Sequence, residues 1–313
     1  MITKKTLFIL GAGASIPYGF PSGAELRGIL CGLDGGGNAL FGTLAAMEIH
    51  SKSALRNFAR DFRLSKQASI DAFLAKRADL AEIGKICIAA ELCRRESVDI
   101  LFRTPNEDDW HQTLWNAMQD GATDAAQIVT NNIRFVTFNY DRSLECFLFH
   151  AIKSSFHVSE QDAHALMSRI PLRHVYGSLG QYQWRADLQG TYSPDVNDSS
   201  IIGIANCIKV IPELRTDDKV FMEIREWVEW SEQVCFLGFG FDPLNMERLG
   251  VDSVFKYLSE KNGRLTTSIK ASRLGITEPE VARIRNRYFK HVGDVFFHDA
   301  NVQMTLRESG VLV

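Results

Sequence analysis

Residues 6 to 10 read Thr-Leu-Phe-Ile-Leu, and the run stops at Gly11, with Gly13 two residues on. A short apolar run without polar alternation suits a strand buried on both faces, and such strands belong to parallel sheets covered by helices. Small residues at the end of such a strand let backbone amides close on a phosphate, and a helix N-terminus behind them adds a favourable dipole. The fingerprint of nicotinamide-dependent dehydrogenases asks for a third small residue at position 16, which here is Ile16. A clear acidic residue ending a second strand about 20 residues further on is also missing. A dehydrogenase is therefore disfavoured, although the loop keeps a nucleotide-binding character.

The pattern of an apolar run broken by a glycine or polar loop recurs. Ile133 to Phe138 ends at Asn139-Tyr140-Asp141, Leu172 to Val175 ends at Tyr176-Gly177-Ser178, and Gln233 to Leu237 is broken by Gly238-Phe239-Gly240-Phe241-Asp242-Pro243. A last strand is expected near Asp294 to Phe297. Helical periodicity separates these runs, around Ala24 to Cys31, Arg142 to Ile152, Asp218 to Ser231 and Glu278 to Phe289. Leu33 to Asn38 reads as a flexible break, and from Ala39 to Gly121 the periodicity is helical throughout. Its clearest piece is a helix from Ser69, a good N-cap, to Leu92, with Asp71 in the first turn. The expected fold is α/β, a Rossmann-like doubly wound parallel sheet forming one domain over 1–313, with a helical insertion or subdomain at 39–121. In open parallel sheets ligands bind beyond the carboxyl ends of the strands, so four loops, at Gly11 to Ser15, Asn139 to Asp141, His174 to Ser178 and Gly238 to Asp242, converge on one crevice.

Composition removes several classes of function. A formal net charge of -3 gives no basic face for nucleic acid. No apolar stretch reaches the roughly 18 residues of a membrane span. The N-terminus enters the first strand without a secretory pattern, so a cytoplasmic protein is expected. The cysteines, Cys31, Cys87, Cys93, Cys146, Cys207 and Cys235, form no Cys-x-x-Cys pair, which leaves a zinc ribbon or disulfide framework without support. His50, His111, His150, His157, His164, His291 and His298 show no ligand spacing and read as ordinary surface or core residues, and no metal is expected.

The segments Gly11-Ala12-Gly13-Ala14-Ser15 with Gly19-Phe20-Pro21, Val136-Thr137-Phe138-Asn139-Tyr140-Asp141, Tyr176-Gly177-Ser178-Leu179 and Phe236-Leu237-Gly238-Phe239-Gly240-Phe241 resemble the sirtuin family, in particular its divergent bacterial sirtuin-like branch. They follow the family's order over residues 6 to 245. The resemblance implies NAD bound as substrate, with the glycine loop at the diphosphate and Asn139 and Asp141 near the nicotinamide and its ribose. It also implies cofactor contacts from Gly11, Ala12, Gly13, Ser15, Pro21, Thr137, Gly177, Ser178, Gly238 and Gly240, with Asp242 and Asn245 towards the adenine side. Zinc-containing members carry two Cys-x-x-Cys pairs that this chain lacks. They also place a histidine where Tyr176 stands, while His174 lies two residues earlier; both departures count against deacylation. Compact members without the zinc ribbon often act as anti-phage effectors that deplete NAD, held silent until a neighbouring sensor subunit or assembly into an oligomer triggers them.

Each candidate also has an ordinary reading. Asn139 and Asp141 sit where residues cap a following helix. An amide at Asn139 can instead orient an attacking water or the ribose hydroxyls. His174 has the ionisation range of a base, and positions 174 and 176 of a strand share a face, so His174 or Tyr176 can assist from the third loop. Ser15 can cap the first helix and contact a phosphate at once. The reading carried forward is an NAD glycohydrolase; the alternatives are an NAD-dependent deacylase or ADP-ribosyltransferase, and a non-catalytic NAD or ADP-ribose sensor.

Overall fold

In a computed structural model, residues 1–103, 107–180, 192, 198–210, 219–262 and 266–313 are described. Six parallel strands, β1 (Thr6–Leu10), β2 (Ile133–Thr137), β3 (Leu172–His174), β4 (Gln233–Leu237), β5 (Ser268–Ser272) and β6 (Asp294–His298), lie in the order β3-β2-β1-β4-β5-β6. The chain is thus α/β with a Rossmann-like sheet, and the strand order reverses between β1 and β4. Both central strands are buried at every position, as their unbroken apolar runs require. Leu10 pairs with Thr137 on one side and with Leu237 on the other, so the three loops after β1, β2 and β4 leave the sheet at one level.

Most expected elements appear within three residues of their anticipated ends. The helix following β2 runs Ser143–Ser155, and Asp242 caps helix Pro243–Leu249 by accepting from the amides of Leu244 and Asn245. The helix expected from Asp218 begins at Lys219 among the described residues, Asp218 lying outside them. Its Trp227 and Trp230 pack under the Arg134 guanidinium, 5.4 and 3.9 Å from their ring centres, as packing residues. Five cysteines are buried and Cys207 is exposed, all with free thiols. Among the described residues no helix is long and apolar enough to cross a membrane.

Two expectations fail. The long helix from Ser69 to Leu92 is broken: Ser69 does cap it, but the α-helix ends at Leu74 and a second one, Ala81–Cys93, follows a single turn at Ala78–Leu80. The reason is a fold-back. Gly84 lies so close to Leu74 that a Cβ there would stand 2.7 Å from a Leu74 methyl, a contact that a continuous helix cannot make. Strand β5 was not anticipated, because Ser-Ile-Lys-Ala-Ser holds only two apolar residues; pairing with β4 and β6 makes it a strand.

Between Ala39 and Gly121 the described residues form helices joined by short turns, with no strand among them. This segment grips the loop after β1: Trp110 Nε1 donates to the Ala14 carbonyl at 2.7 Å, and the Tyr18 hydroxyl donates to Asp109 at 3.0 Å. It also grips the loop after β2. Tyr140 donates to Asp71 at 2.7 Å, and Arg142 makes a two-pronged ion pair with Glu96 at 2.9 and 2.6 Å, with both side chains buried. The residues on either side of Asp141 are therefore tied to the helical segment.

Candidate functional site

The glycines after β1 and β4 serve each other first. A Cβ on Gly13 would stand 2.7 Å from Gly238 Cα, and one on Gly238, whose φ is +57°, would stand 2.1 Å from the Ala14 nitrogen. This close crossing needs residues without side chains at both positions. It also occupies the loop: the amide of Gly11 donates to Leu237, Gly13 to Gly238, Ala14 to Gly11 and Ser15 to Ala12. The expectation that these amides close on a phosphate meets a loop whose donors at those four positions are already used. Nor does an α-helix start directly behind them; two 3₁₀ turns, Ala12–Ala14 and Ile16–Tyr18, intervene before helix Gly23–Cys31, which Ser22 caps. On the β4 side, Ser272 Oγ accepts from Gly238, while the amides of Phe239 and Gly240 donate to nothing among the described residues.

Among the described residues, two spaces border the glycine loop. A cleft of about 220 Å³ runs over the carboxyl ends of β1, β4, β5 and β6, bordered by Gly13, Gly238, Gly240, Ser272, Ile276 and Asn301. It contains the switch point where Rossmann-like sheets take their ligands. On the other side of the loop lies a small cavity of about 10 Å³, lined by Ser15, His111, Thr137, Asn139, Asp141 and Glu145 among others.

Asn139 is the best-defined side chain there. Its Nδ2 donates to the Gly11 carbonyl at 2.9 Å and to Ser15 Oγ at 3.0 Å, while Thr137 Oγ1 holds its backbone amide at 3.0 Å. The side chain thus does not cap the following helix. Its Oδ1 accepts no hydrogen bond among the described residues, which leaves a rigidly held acceptor in the cavity wall. Ser15 passes the network on by donating to Asp141 Oδ2 at 2.6 Å, and so does not cap the first helix either. Asp141 also accepts from the amide and hydroxyl of Ser143, which is the helix-start role that its position suggested. Burial pushes its carboxyl above the usual carboxylate range against these hydrogen bonds.

The third loop faces elsewhere. His174 Nδ1 lies 2.8 Å from the Asn139 carbonyl oxygen and Nε2 lies 2.6 Å from Glu145 Oε1. Burial alone would lower its basicity, but the Glu145 carboxylate and the Asn139 carbonyl outweigh it and the net shift is upward. The Asn139 carbonyl, which can only accept, sets a proton on Nδ1, and the Glu145 carboxylate on the other side favours the charged form of the ring. It anchors the backbone of Asn139, and both of its nitrogens are engaged. Tyr176 is buried and its hydroxyl donates to Asn245 Oδ1, with Arg248 against the ring. Gly177 is demanded by packing, since a Cβ would stand 2.0 Å from the Cys207 carbonyl oxygen, and Ser178 bonds the Gly180 carbonyl.

Of the residues singled out from the sequence, Ser15, Thr137, Asn139 and Asp141 therefore share the cavity, and Gly13, Gly238 and Gly240 share the cleft. Gly11, Ala12, Pro21, His174, Tyr176, Gly177, Ser178, Asp242 and Asn245 line neither space. Ser272, Asn301, His111 and Glu145 were not anticipated. The first two arrive on β5 and after β6, His111 from the helical segment, and Glu145 from one turn into helix Ser143–Ser155. Only the last carried a sequence signal, a carboxylate four residues after Asp141. No family model and no curated protein matches the chain.

Proposed function

We propose that this protein is an NAD glycohydrolase, cleaving the bond between nicotinamide and ribose and releasing ADP-ribose. The observation that carries this reading is the fixed Asn139 amide. Its nitrogen is spent on Gly11 and Ser15, and its oxygen remains as an acceptor beside the switch point of the sheet. A preset acceptor suits a water or ribose hydroxyl at a centre that becomes oxocarbenium-like as nicotinamide leaves, because it needs no reorganisation during reaction. The cleft by Gly13, Gly238 and Gly240 takes the remainder of the dinucleotide, with the undonated amides of Phe239 and Gly240 as phosphate partners. NAD is substrate here, and the chemistry proposed needs no metal. On the resemblance to sirtuin-like effectors, the enzyme is a regulated, NAD-depleting component of anti-phage defence, acting as an oligomer or beside a sensor subunit.

One observation favours a second reading, a non-catalytic sensor of NAD or ADP-ribose: the third loop contributes no free base, both nitrogens of His174 being engaged. Nicotinamide release from NAD by the purified chain, alone and with the products of neighbouring genes, separates the two. Release that disappears in Asn139→Ala is the expected result. NAD binding without release under every condition would establish the sensor instead.

A further inference from the structure

His111 is the one histidine among the described residues whose two ring nitrogens are both buried without a hydrogen-bond partner. It is the second residue of helix Trp110–Gln119 and is 1% exposed. Aromatic packing alone holds the ring: it stacks on Tyr18 with centres 3.8 Å apart and planes 6° from parallel, and it touches Trp110 edge-on at 4.3 Å and Phe147 at 5.1 Å. Even its backbone amide is anchored, donating to the Tyr18 hydroxyl at 2.8 Å.

A histidine in such a sandwich is costly. Leaving buried polar atoms unpaired costs about 1–3 kcal/mol each, and a phenylalanine would fill the same space without that cost. The same ring lines the cavity that holds Asn139 and Asp141. That cavity, about 10 Å³, has the room one water requires and faces the open acceptor of Asn139.

We infer that His111 is the general base of the cleavage site, holding the attacking water together with the Asn139 amide oxygen; this rests on the glycohydrolase reading above. The water oxygen bonds to C1′ of the nicotinamide ribose. The bond from C1′ to the pyridinium nitrogen breaks, its electron pair leaving with neutral nicotinamide, and a water proton passes to a His111 nitrogen. His174 is unsuited to the task because both of its nitrogens are already engaged, with the Asn139 carbonyl and with Glu145. Burial pushes the His111 imidazole well below the usual histidine range, which favours the neutral ring whose lone pair can accept a hydrogen bond from the water.

The test measures nicotinamide release by the full-length chain as wild type, His111→Phe and Asn139→Ala. Thermal midpoints are measured alongside, together with NMR of the His111 ring nitrogens with and without ADP-ribose. The expected result is that His111→Phe melts at or above the wild-type midpoint and loses about a hundredfold in release, while the wild-type ring nitrogens shift on adding ADP-ribose. If the phenylalanine variant does not fold, His111→Gln carries the same comparison. Release at the wild-type rate by His111→Phe, with Asn139→Ala inactive, overturns the inference and leaves the glycohydrolase reading standing. A wild type that never releases nicotinamide overturns that reading instead. The ring nitrogens then decide for His111: a shift supports it as a ligand-facing group, and no shift overturns it.

Discussion

Two histidines lie close to Asn139, His111 in the wall of the small cavity and His174 bonded to the Asn139 backbone outside it, and they are opposites chemically. His174, at the end of β3, spends both nitrogens on Asn139 and Glu145, and the Glu145 carboxylate favours its charged form. His111, from the helical segment, spends neither, and burial disfavours its charged form. The sheet-side wall is thus a finished hydrogen-bond network that fixes the Asn139 backbone, and the helix-side wall is a rigid ring with its polar atoms unspent. A satisfied network adds order, whereas an unsatisfied group costs stability that only a ligand or water recovers. On that contrast positioning belongs to the sheet side and reactivity to the helix side.

The comparison can be broken most forcefully at His174. His174→Ala leaves a buried carboxylate at Glu145 and a carbonyl at Asn139 without their donor, and it is expected to lower stability by about 3–5 kcal/mol in denaturant titration. The same truncation should reduce nicotinamide release only as far as Asn139 is displaced. An equal loss of activity in a variant of unchanged stability would make His174 chemical after all. Next in size, Asn139→Ala removes the preset acceptor and should cost roughly a hundredfold in release with little change in the melting midpoint.

Acid and base titrations sharpen the contrast, because the two histidines act in opposite directions. The His174 value is raised on folding, so its stabilisation is complete below a pH of about 6.5 and fades as pH rises through the folded value. The His111 value is depressed, so its contribution is intact above a pH of about 6.5 and is lost as pH falls towards the folded value. Glu145→Gln should therefore cost about 1 kcal/mol near pH 6 and less at alkaline pH, and His111→Phe should flatten the acid limb of the stability profile. The smallest effect belongs to Tyr176→Phe. Its hydroxyl bonds Asn245 and Arg248 in an already packed corner, so a loss of about 1 kcal/mol with unaltered release is expected.

How much of this was legible beforehand follows from the reach of each interaction. The strand-and-loop pattern places Gly11, Asn139 and Gly238 at the ends of neighbouring strands, because a buried parallel strand announces itself by local hydrophobicity and its end by the residues that break it. The glycine loop was legible as a close approach, but the partner was not: the nearest backbone is Gly238, which is remote in the chain. The Tyr140–Asp71 and Arg142–Glu96 contacts were equally hidden, since nothing near Asp71 or Glu96 marks either as the partner of a strand end.

The amino-acid sequence by itself determined that the chain forms a doubly wound α/β sheet and which strand ends carry unusual residues, because both depend on periodicity and turn chemistry within a few residues. Only the tertiary structure decided which of those residues face the cavity, that His174 is consumed in holding Asn139, and that a histidine with no motif around it completes the opposite wall. Those outcomes are set by contacts between segments far apart in the chain, where burial and the supply of hydrogen-bond partners, rather than local pattern, determine what a side chain can do.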